Sequence, residues 1–257
     1  MTRRLIACDL EATCWEDPER RLTQAEETEI IEIGAVELCP RTYRPLRTFD
    51  SLVRPQRHPA LSEYCLLLTG IRQQDVDAAA PFAEVWTRFH GWLGDLGEVD
   101  FYAWGDFDHH QLVRQVESLG EASPAWTPFD IRGEFQEWCR DHDQRHHRVG
   151  LAGALELLGS PPLEKAHRAL HDAHGVRQVL ASVRDPARIS PGSQALWALI
   201  AERSPAATHR GHARSKLSMD KPAYTRHQRE LTRVGLVDVL GDGQGMRART
   251  IPDPSAE

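Results

Sequence analysis

Apolar runs and amphipathic segments alternate along the chain up to about residue 185. Five short apolar runs predict buried strands, at Leu5–Leu10, Ile30–Leu38, Thr48–Val53, Val99–Trp104 and Phe129–Ile131. Apolar residues three and four positions apart predict helices, at Pro81–Leu93, Asp108–Leu119, Glu134–Arg140, Leu151–Leu158 and His171–Val183. This order indicates an α/β domain in which helices flank a sheet. Gly34, inside the second strand, indicates either a bulge or a close backbone approach.

A turn-rich junction follows these elements. Residues 185–192 (DPARISPG) contain two prolines and a glycine, which is typical of a domain boundary. We therefore expect one domain over residues 1–187 and a smaller one over residues 188–257. The smaller domain has helical spacing at Ser193–Arg203 and Pro222–Val234, followed by a glycine-rich hairpin over residues 235–251. This order resembles a winged helix-turn-helix domain.

Charge is unevenly distributed along the 257 residues. The chain carries 31 Lys/Arg and 38 Asp/Glu, a net charge of −7, whereas residues 190–257 carry ten and seven, a net of +3. No apolar run approaches the ~20 residues that span a bilayer. The five cysteines form no CxxC pair, so a disulfide framework or a structural zinc site is not expected. These features predict a cytoplasmic protein without a membrane partner.

Acidic residues follow two of the predicted strands and begin a later helix. Asp9 and Glu11 point to the same face of the first strand, because side chains alternate with period two. Asp106 and Asp108 both follow the fourth strand, and which of them joins the first pair depends on where that strand ends. Asp172 lies at the start of a helical stretch. Carboxylates gathered in this way repel each other unless a cation lies between them.

The ligand types predict the kind of metal. Oxygen ligands suit Mg²⁺ or Mn²⁺, and two such ions about 3.5–4 Å apart can clamp a phosphodiester. His167 can meet Asp172 if it lies on the loop before the helix. Histidine is the side chain best suited to accept a proton from water near neutral pH. The residues alone therefore predict metal-assisted phosphodiester hydrolysis.

Short motifs occur in an order that resembles a known superfamily. They are DLEATCW, TEIIEIG, YCLLLTGI, VDAAAPFAEV, WGDFD, GLAGALELLG and HRALHDA. Together, over about residues 4–184, they resemble the three motifs of the DEDDh 3′–5′ exonucleases (RNase T/DnaQ-like), and most closely the Eri-1/3′hExo-like and KapD-like branch. The resemblance implies an RNase H-like mixed five-stranded sheet flanked by helices. It also implies metal-dependent 3′–5′ exonuclease activity.

The resemblance assigns roles to matched residues. It implies four metal ligands, Asp9, Glu11, Asp106 and Asp172, and it favours Asp106 over Asp108. It implies His167 as the general base, and His167 and Glu11 as the catalytic residues. The implied nucleotide contacts are Ala12, Thr13, Leu68, Thr69, Gly70 and Trp104. For Trp104, a core aromatic at a strand end is the alternative.

The C-terminal segment is basic. Residues 203–233 carry eight Lys/Arg against two acids, a composition that suits sequence-independent phosphate contacts. The candidate nucleic-acid-binding residues are Arg210, Arg214, Lys216, Lys221, Arg226 and Arg229. The alternatives are a charged solvated helix and a dimerisation module that would make the protein a homo-oligomer.

The leading hypothesis is a 3′–5′ exonuclease that uses two Mg²⁺ or Mn²⁺ ions. It would release nucleoside 5′-monophosphates from RNA, single-stranded DNA or both, with the basic segment holding the substrate. One alternative is a nucleic-acid-binding regulator that keeps an exonuclease-like scaffold. The other is a nuclease specific for short oligonucleotides. The sequence contains no motif that distinguishes RNA from DNA.

Overall fold

A computed structural model describes residues 3–16, 28–144, 148–203, 206–240 and 245–249. The chain divides into two compact units. The first unit comprises Met1–Glu134 and Val149–Leu180, and the second comprises Phe135–Arg148 and Ala181–Glu257. Residues 135–148 thus group with the C-terminal segment, and the functional boundary at residue 187 stays a prediction. No helix among the described residues has the length and apolar character needed to cross a membrane.

The first unit is built on a mixed five-stranded sheet, as predicted. Its strands are β1 (Arg4–Ala12), β2 (Ile30–Leu38), β3 (Pro45–Leu52), β4 (Val99–Ala103) and β5 (Thr127–Asp130). Their order across the sheet is β3-β2-β1-β4-β5. β1 lies between an antiparallel neighbour, β2, and a parallel neighbour, β4. The carboxyl end of the central strand therefore lies at the edge where β4 also ends.

Helices flank this sheet. They are α1 (Glu63–Thr69), α2 (Gln73–Asp77), α3 (Phe82–Leu93), α4 (Phe107–Glu117), α6 (Leu151–Leu157) and α7 (Ala169–Val183). Helix α5 (Ile131–Asp141) begins in this unit and continues in the second. The apolar stripes of α3 and α4 pack with Leu10 and Ile33 of the sheet in one buried cluster. Helical spacing did not predict α1 and α2, because each has only about two turns or fewer. α5 begins at Ile131, three residues before the predicted start.

Gly34 allows α7 to approach the sheet closely. It lies opposite Asp9 in a continuous stretch of the β1–β2 ladder, so the close-approach interpretation is confirmed and a bulge at Gly34 is not observed. A Cβ atom at this position would overlap the backbone of Ala169 and Leu170 at the start of α7. The helix that carries Asp172 is thus seated directly on the strand pair that carries Asp9.

The second unit has its own small sheet and core. After α8 (Pro191–Arg203) come β6 (Thr208–His209), α9 (Arg210–Lys216), α10 (Lys221–Arg233), β7 (Val237–Val239) and β8 (Gly245–Ala248). The strand order is β6-β8-β7, and both pairs are antiparallel. Apolar residues of α8, α10, β7 and β8 form one buried cluster. The predicted hairpin tip at residues 241–244 and its end at residues 250–251 lie outside the described residues.

The packing at Gly34 yields a stability prediction. Gly34→Ala should lower the free energy of unfolding by about 1–3 kcal/mol, because the added methyl group overlaps helix backbone that cannot rotate away. Gly91→Ala on α3 is the matched control, since a Cβ there meets nothing within 4 Å. The control should be neutral or stabilising by up to about 1 kcal/mol. Urea unfolding measures both, and equal stability of the two variants would contradict the close approach.

Candidate active site

The end of β1 presents two acids on one face. Asp9 and Glu11 flank Leu10, whose side chain points the opposite way into the core formed with α3 and α4. Glu11 is buried and Asp9 half-buried. In the β1–β2 ladder Asp9 lies opposite Gly34, and Glu11 lies opposite Glu32. This face of the strand pair therefore carries three carboxylates beside a residue without a side chain.

Asp108 supplies the next acid. It lies in the first turn of α4, it is buried, and its Oδ1 accepts a hydrogen bond of 3.0 Å from the backbone N–H of Leu10. Asp106 is the exposed residue before the helix. The structure therefore places Asp108, and not Asp106, beside the end of β1, and which of the two is the third metal ligand stays a prediction. The reason is that β4 ends at Ala103, so three residues of turn precede the helix and its first turn brings Asp108 back to β1.

α7 brings Asp172 and His167 to the same place. Asp172 is buried in the first turn of the helix, and its Oδ2 accepts a 3.0 Å hydrogen bond from the backbone N–H of His167. His167 lies on the preceding loop, exposed, with a left-handed φ of 59°. Ligand atoms of Glu11, His167 and Asp172 all lie within 4.8 Å of one another. The structure thus gathers side chains from β1 and the start of α7 in one cluster.

Glu32 and Arg168 are neighbours that the sequence analysis missed. Glu32 is 1% exposed, and Arg168 donates to both of its carboxylate oxygens at 2.5–3.1 Å. The backbone N–H of Ala169, the first residue of α7, donates to Glu32 Oε2 at 2.9 Å. Glu32 therefore fixes the residues that directly follow His167. The signal was available, because Glu32 is one of two acids in a largely apolar strand, and it lies directly opposite Glu11.

The electrostatics of the cluster disfavour four negative charges without a cation. Burial, followed by repulsion from Asp108 and Glu11, raises the pKa of Asp9 well above its ordinary value. Burial and the charge of Asp172 raise the pKa of Glu11 to about 8. Burial also raises the pKa of Asp108 to about 7 and raises the pKa of Asp172. A bound cation would oppose all four shifts, because it favours the ionised carboxylates.

The donor set fits a divalent metal ion. Asp172 Oδ1 is buried and has no hydrogen-bond partner among the described residues, so it is available as a ligand atom. The other donors are carboxylate oxygens and one imidazole nitrogen. Carboxylate-dominated sites of this kind suit hard divalent cations. We therefore expect the orphaned oxygen and the raised pKa values to share one cause, a site shaped for metal.

Two of the predicted nucleotide contacts use their hydroxyls on the backbone. Thr13 Oγ1 accepts a 2.9 Å hydrogen bond from the N–H of Glu29, and Thr13 is buried. Thr69 Oγ1 donates to the carbonyl of Cys65 at 2.9 Å and accepts from the N–H of Ile71 at 3.1 Å. Both residues therefore shape the chain around the site. A direct contact of either with a nucleotide stays a prediction.

The remaining predicted contacts surround the end of β1. The thiol of Cys65 on α1 lies 3.7 Å from the carbonyl oxygen of Ala12, which places α1 beside that strand end. Gly70 ends α1 in a left-handed conformation (φ 65°) and is exposed, whereas Leu68 is half-buried. Trp104 is half-buried and follows β4 directly. The helix that carries Leu68 and ends at Gly70 therefore lies beside Ala12, and contact of these residues with substrate stays a prediction.

Comparison with known proteins identifies this arrangement. Residues 6–180 match the RNase_T family, described as an exonuclease. The chain is 30% identical over 210 residues to the 3′-5′ exonuclease Snipper of Drosophila melanogaster, covering 72% of this chain and 71% of that protein. It is 40% identical over 205 residues to the 3′-5′ exonuclease eri1 of Schizosaccharomyces pombe, covering 69% and 67%. It spans a third or less of the vertebrate proteins named ERI1 exoribonuclease 2.

A solved structure shows the same fold. The nuclease domain of 3′hExo, a DEDDh family member bound to rAMP, matches with a TM-score of 0.61 and 25% identity, covering 73% of this chain and 95% of that one. The sheet is thus the predicted RNase H-like exonuclease fold. Exonucleases of this family use divalent metal ions, as the carboxylate cluster requires. The chain is a 3′–5′ exonuclease, and it belongs to the RNase_T exonuclease family.

Proposed function

We propose that this exonuclease hydrolyses RNA from the 3′ end and releases nucleoside 5′-monophosphates, with single-stranded DNA as a second substrate. The observation that carries the proposal is the cluster of Asp9, Glu11, Asp108 and Asp172 with His167 beside it. RNA is favoured because relatives are named exoribonucleases and the similar nuclease domain was solved with rAMP. The presence of all five groups favours an enzyme over a regulator with an inactive scaffold.

The four carboxylates would hold the metal. Asp9, Glu11, Asp108 and Asp172 offer enough oxygen atoms for two Mg²⁺ or Mn²⁺ ions. Such ions would supply Lewis-acid chemistry there, which would activate a water molecule and neutralise charge on a leaving oxygen. The protein's part is to hold the ligands in place. Gly34 seats α7, Leu10 N–H holds Asp108, and the start of α7 presents Asp172.

His167 would act as the general base. Its side chain is exposed beside Glu11 and Asp172, so it can reach a water molecule that approaches the cluster from solvent. A neutral imidazole accepts a proton near neutral pH and can pass it to bulk water. Its left-handed backbone is supported on one side by Asp172 and on the other by the Arg168–Glu32 ion pair. These contacts hold the backbone of His167, the proposed general base, in one conformation.

The segment after residue 187 would bind nucleic acid. Its element order of helix, strand, two helices and two strands, with the third strand between the other two, supports the winged-helix prediction. Lys216, Lys221, Arg226 and Arg229 are exposed, while Arg210 and Arg214 are half-buried. The exposed cations are suited to phosphate contacts. Dimerisation through this segment, and specificity for short oligonucleotides, stay predictions.

Paired substitutions test both the activity and the proposed choice of Asp108 over Asp106 as a metal ligand. Asp108→Asn should reduce hydrolysis of a 5′-labelled RNA strand in Mn²⁺ by on the order of 10²-fold or more, because it removes a metal ligand worth several kcal/mol. Asp106→Asn, two residues away and exposed, should stay close to wild type. The product ladder also reports the direction of digestion. Loss of activity in Asp106→Asn with retention in Asp108→Asn would refute the ligand assignment.

The raised pKa values predict how stability depends on pH. The folded state holds protons more tightly at Glu11 and Asp108 than the unfolded chain does, so their contribution is greatest below about pH 4. It is lost as pH rises through the folded values of about 7 and 8. Mn²⁺ should therefore raise Tm more at about pH 8 than at about pH 5.

The double variant Glu11→Gln, Asp108→Asn is the control for this experiment. In EDTA it should be more stable than wild type at about pH 8, because the repulsion is gone, and Mn²⁺ should shift its Tm little. Thermal unfolding at the two pH values measures both effects. An equal Mn²⁺ shift in wild type at both pH values would contradict the electrostatic account.

Glu32 is predicted to be a positioning residue. Glu32→Gln removes the ion pair with Arg168 and should lower kcat by roughly tenfold to a hundredfold with little change in KM, because His167 and the start of α7 lose their support. Glu37→Gln is the control, since Glu37 lies on the same strand and is ion-paired with Arg4 and Arg47. Glu32→Asp should restore part of kcat. Equal kcat values for the two Gln variants would show that Glu32 has only a structural role.

A further inference from the structure

The second unit contains a groove between two of its helices. The C-terminal half of α5 (residues 135–141) and α10 enclose a volume of about 480 Å³. Five cationic side chains line it: Arg140 on α5, and Lys221, Arg226, Arg229 and Arg233 on α10. We call this feature the α5–α10 groove. The part of α5 that lines the groove is more than 60 residues before the basic segment, so no local sequence pattern connects the two.

The two acids of the groove, Glu137 and Asp141, are outnumbered by its five cations and are ion-paired with arginines that line it. Arg233 is largely buried, and its guanidinium lies 3.1 Å from Asp141 and 3.6 Å from Glu137. These ion pairs join α5 to α10 and offset the negative charges of Glu137 and Asp141 on α5. Arg140, 4.0 Å from Glu137, remains mostly exposed. The charge left facing solvent is therefore positive.

The other three cations of the groove form no ion pair with any residue that the structure describes. Among the described residues, the structure shows no ion pair or side-chain hydrogen bond for Lys221, Arg226 or Arg229, and all three are exposed. In a chain with a net charge of −7, three unpaired cations beside a fourth on the facing helix form a local concentration of positive charge. Such a concentration attracts a polyanion and holds it through several weak contacts.

The opposite face of α10 holds the groove in a fixed shape. Glu230 is 1% exposed and accepts hydrogen bonds of 2.5 Å from the hydroxyls of Ser190 and Ser193, at the start of α8. The backbone N–H of Ser190 donates to the other Glu230 oxygen at 2.8 Å. His142, just beyond α5, lies 3.9 Å from the same carboxylate. The buried contacts of α10 therefore keep its cationic face turned outward.

The spacing of the cations favours a chain of phosphates over a single small anion. Lys221 and Arg229 are eight residues apart on α10, about 12 Å along the helix axis, which is more than one phosphate group can bridge. Each guanidinium group can also donate two parallel hydrogen bonds to two oxygens of one phosphate. A sugar–phosphate backbone presents such groups in series, without regard to base sequence.

We propose that the α5–α10 groove binds the phosphate backbone of a nucleic-acid strand through Arg140, Lys221, Arg226 and Arg229. This proposal deepens the proposed function, because it assigns the nucleic-acid grip to one groove and adds a residue of α5 to it. Binding there is independent of base sequence and depends strongly on salt.

The test compares single substitutions in the full-length protein. Fluorescence anisotropy in EDTA, which prevents hydrolysis, measures the affinity for a long 5′-labelled single-stranded RNA as salt is varied. Arg140→Gln, Arg226→Gln and Arg229→Gln should each reduce the salt slope by about 0.7 and weaken binding about fivefold at about 0.1 M salt, the effect of losing one phosphate contact. Arg203→Gln removes the same charge from exposed α8 outside the groove and should match wild type.

The outcomes separate this inference from the proposed function. The proposal would be overturned if the groove variants had the same RNA affinity and salt slope as Arg203→Gln. The proposal would also be overturned if the groove variants lost affinity for inorganic pyrophosphate but bound the RNA strand as wild type does. The groove would then be a site for small anions. Wild-type digestion of the same strand on addition of Mn²⁺ reports the exonuclease activity independently. Melting curves identify any variant that fails to fold, and Arg→Lys at the same position should then restore folding and binding together.

Discussion

Repulsion between carboxylates is the interaction around which the first unit is organised. Asp9, Glu11, Asp108 and Asp172 come from three elements and converge at the end of the central strand, largely out of water. Ionised together, they destabilise the fold, and the raised pKa values of all four express that cost. A divalent cation reverses the sign of the interaction, because each carboxylate then attracts the ion more than it repels its neighbours. The four carboxylates thus form an arrangement that a bound cation would stabilise.

The rest of the first unit keeps this arrangement from relaxing. Gly34 removes the side chain that would push α7 away from the sheet, and Glu32 binds the first backbone N–H of that helix together with Arg168. Leu10 anchors β1 in the core on one side while its N–H fixes Asp108 on the other. These contacts place His167 beside the acids without a covalent constraint. A site of this kind is precise because the packing around it prevents the carboxylates from separating.

Much of this could be read from the sequence, and the exceptions have physical causes. Period-two alternation placed Asp9 and Glu11 on one face, and the unusual glycine in a strand pointed to a close approach at Gly34. Periodicity could not decide between Asp106 and Asp108, because that choice depends on three turn residues after β4. Glu32 was missed since its partner, Arg168, is far away in sequence. Likewise, the grouping of residues 135–148 with the C-terminal segment rests on tertiary contacts such as Arg233 with Asp141, which no local pattern encodes.

Crystallography with manganese tests the central claim most directly. Crystals soaked in Mn²⁺ should show anomalous density between the carboxylates of Asp9, Glu11, Asp108 and Asp172, with the orphaned Oδ1 of Asp172 among the ligands. Asp106 should remain in solvent, away from the ion. Manganese bound elsewhere with this pocket empty, or bound by Asp106 while Asp108 keeps only its contact with Leu10, would contradict the account.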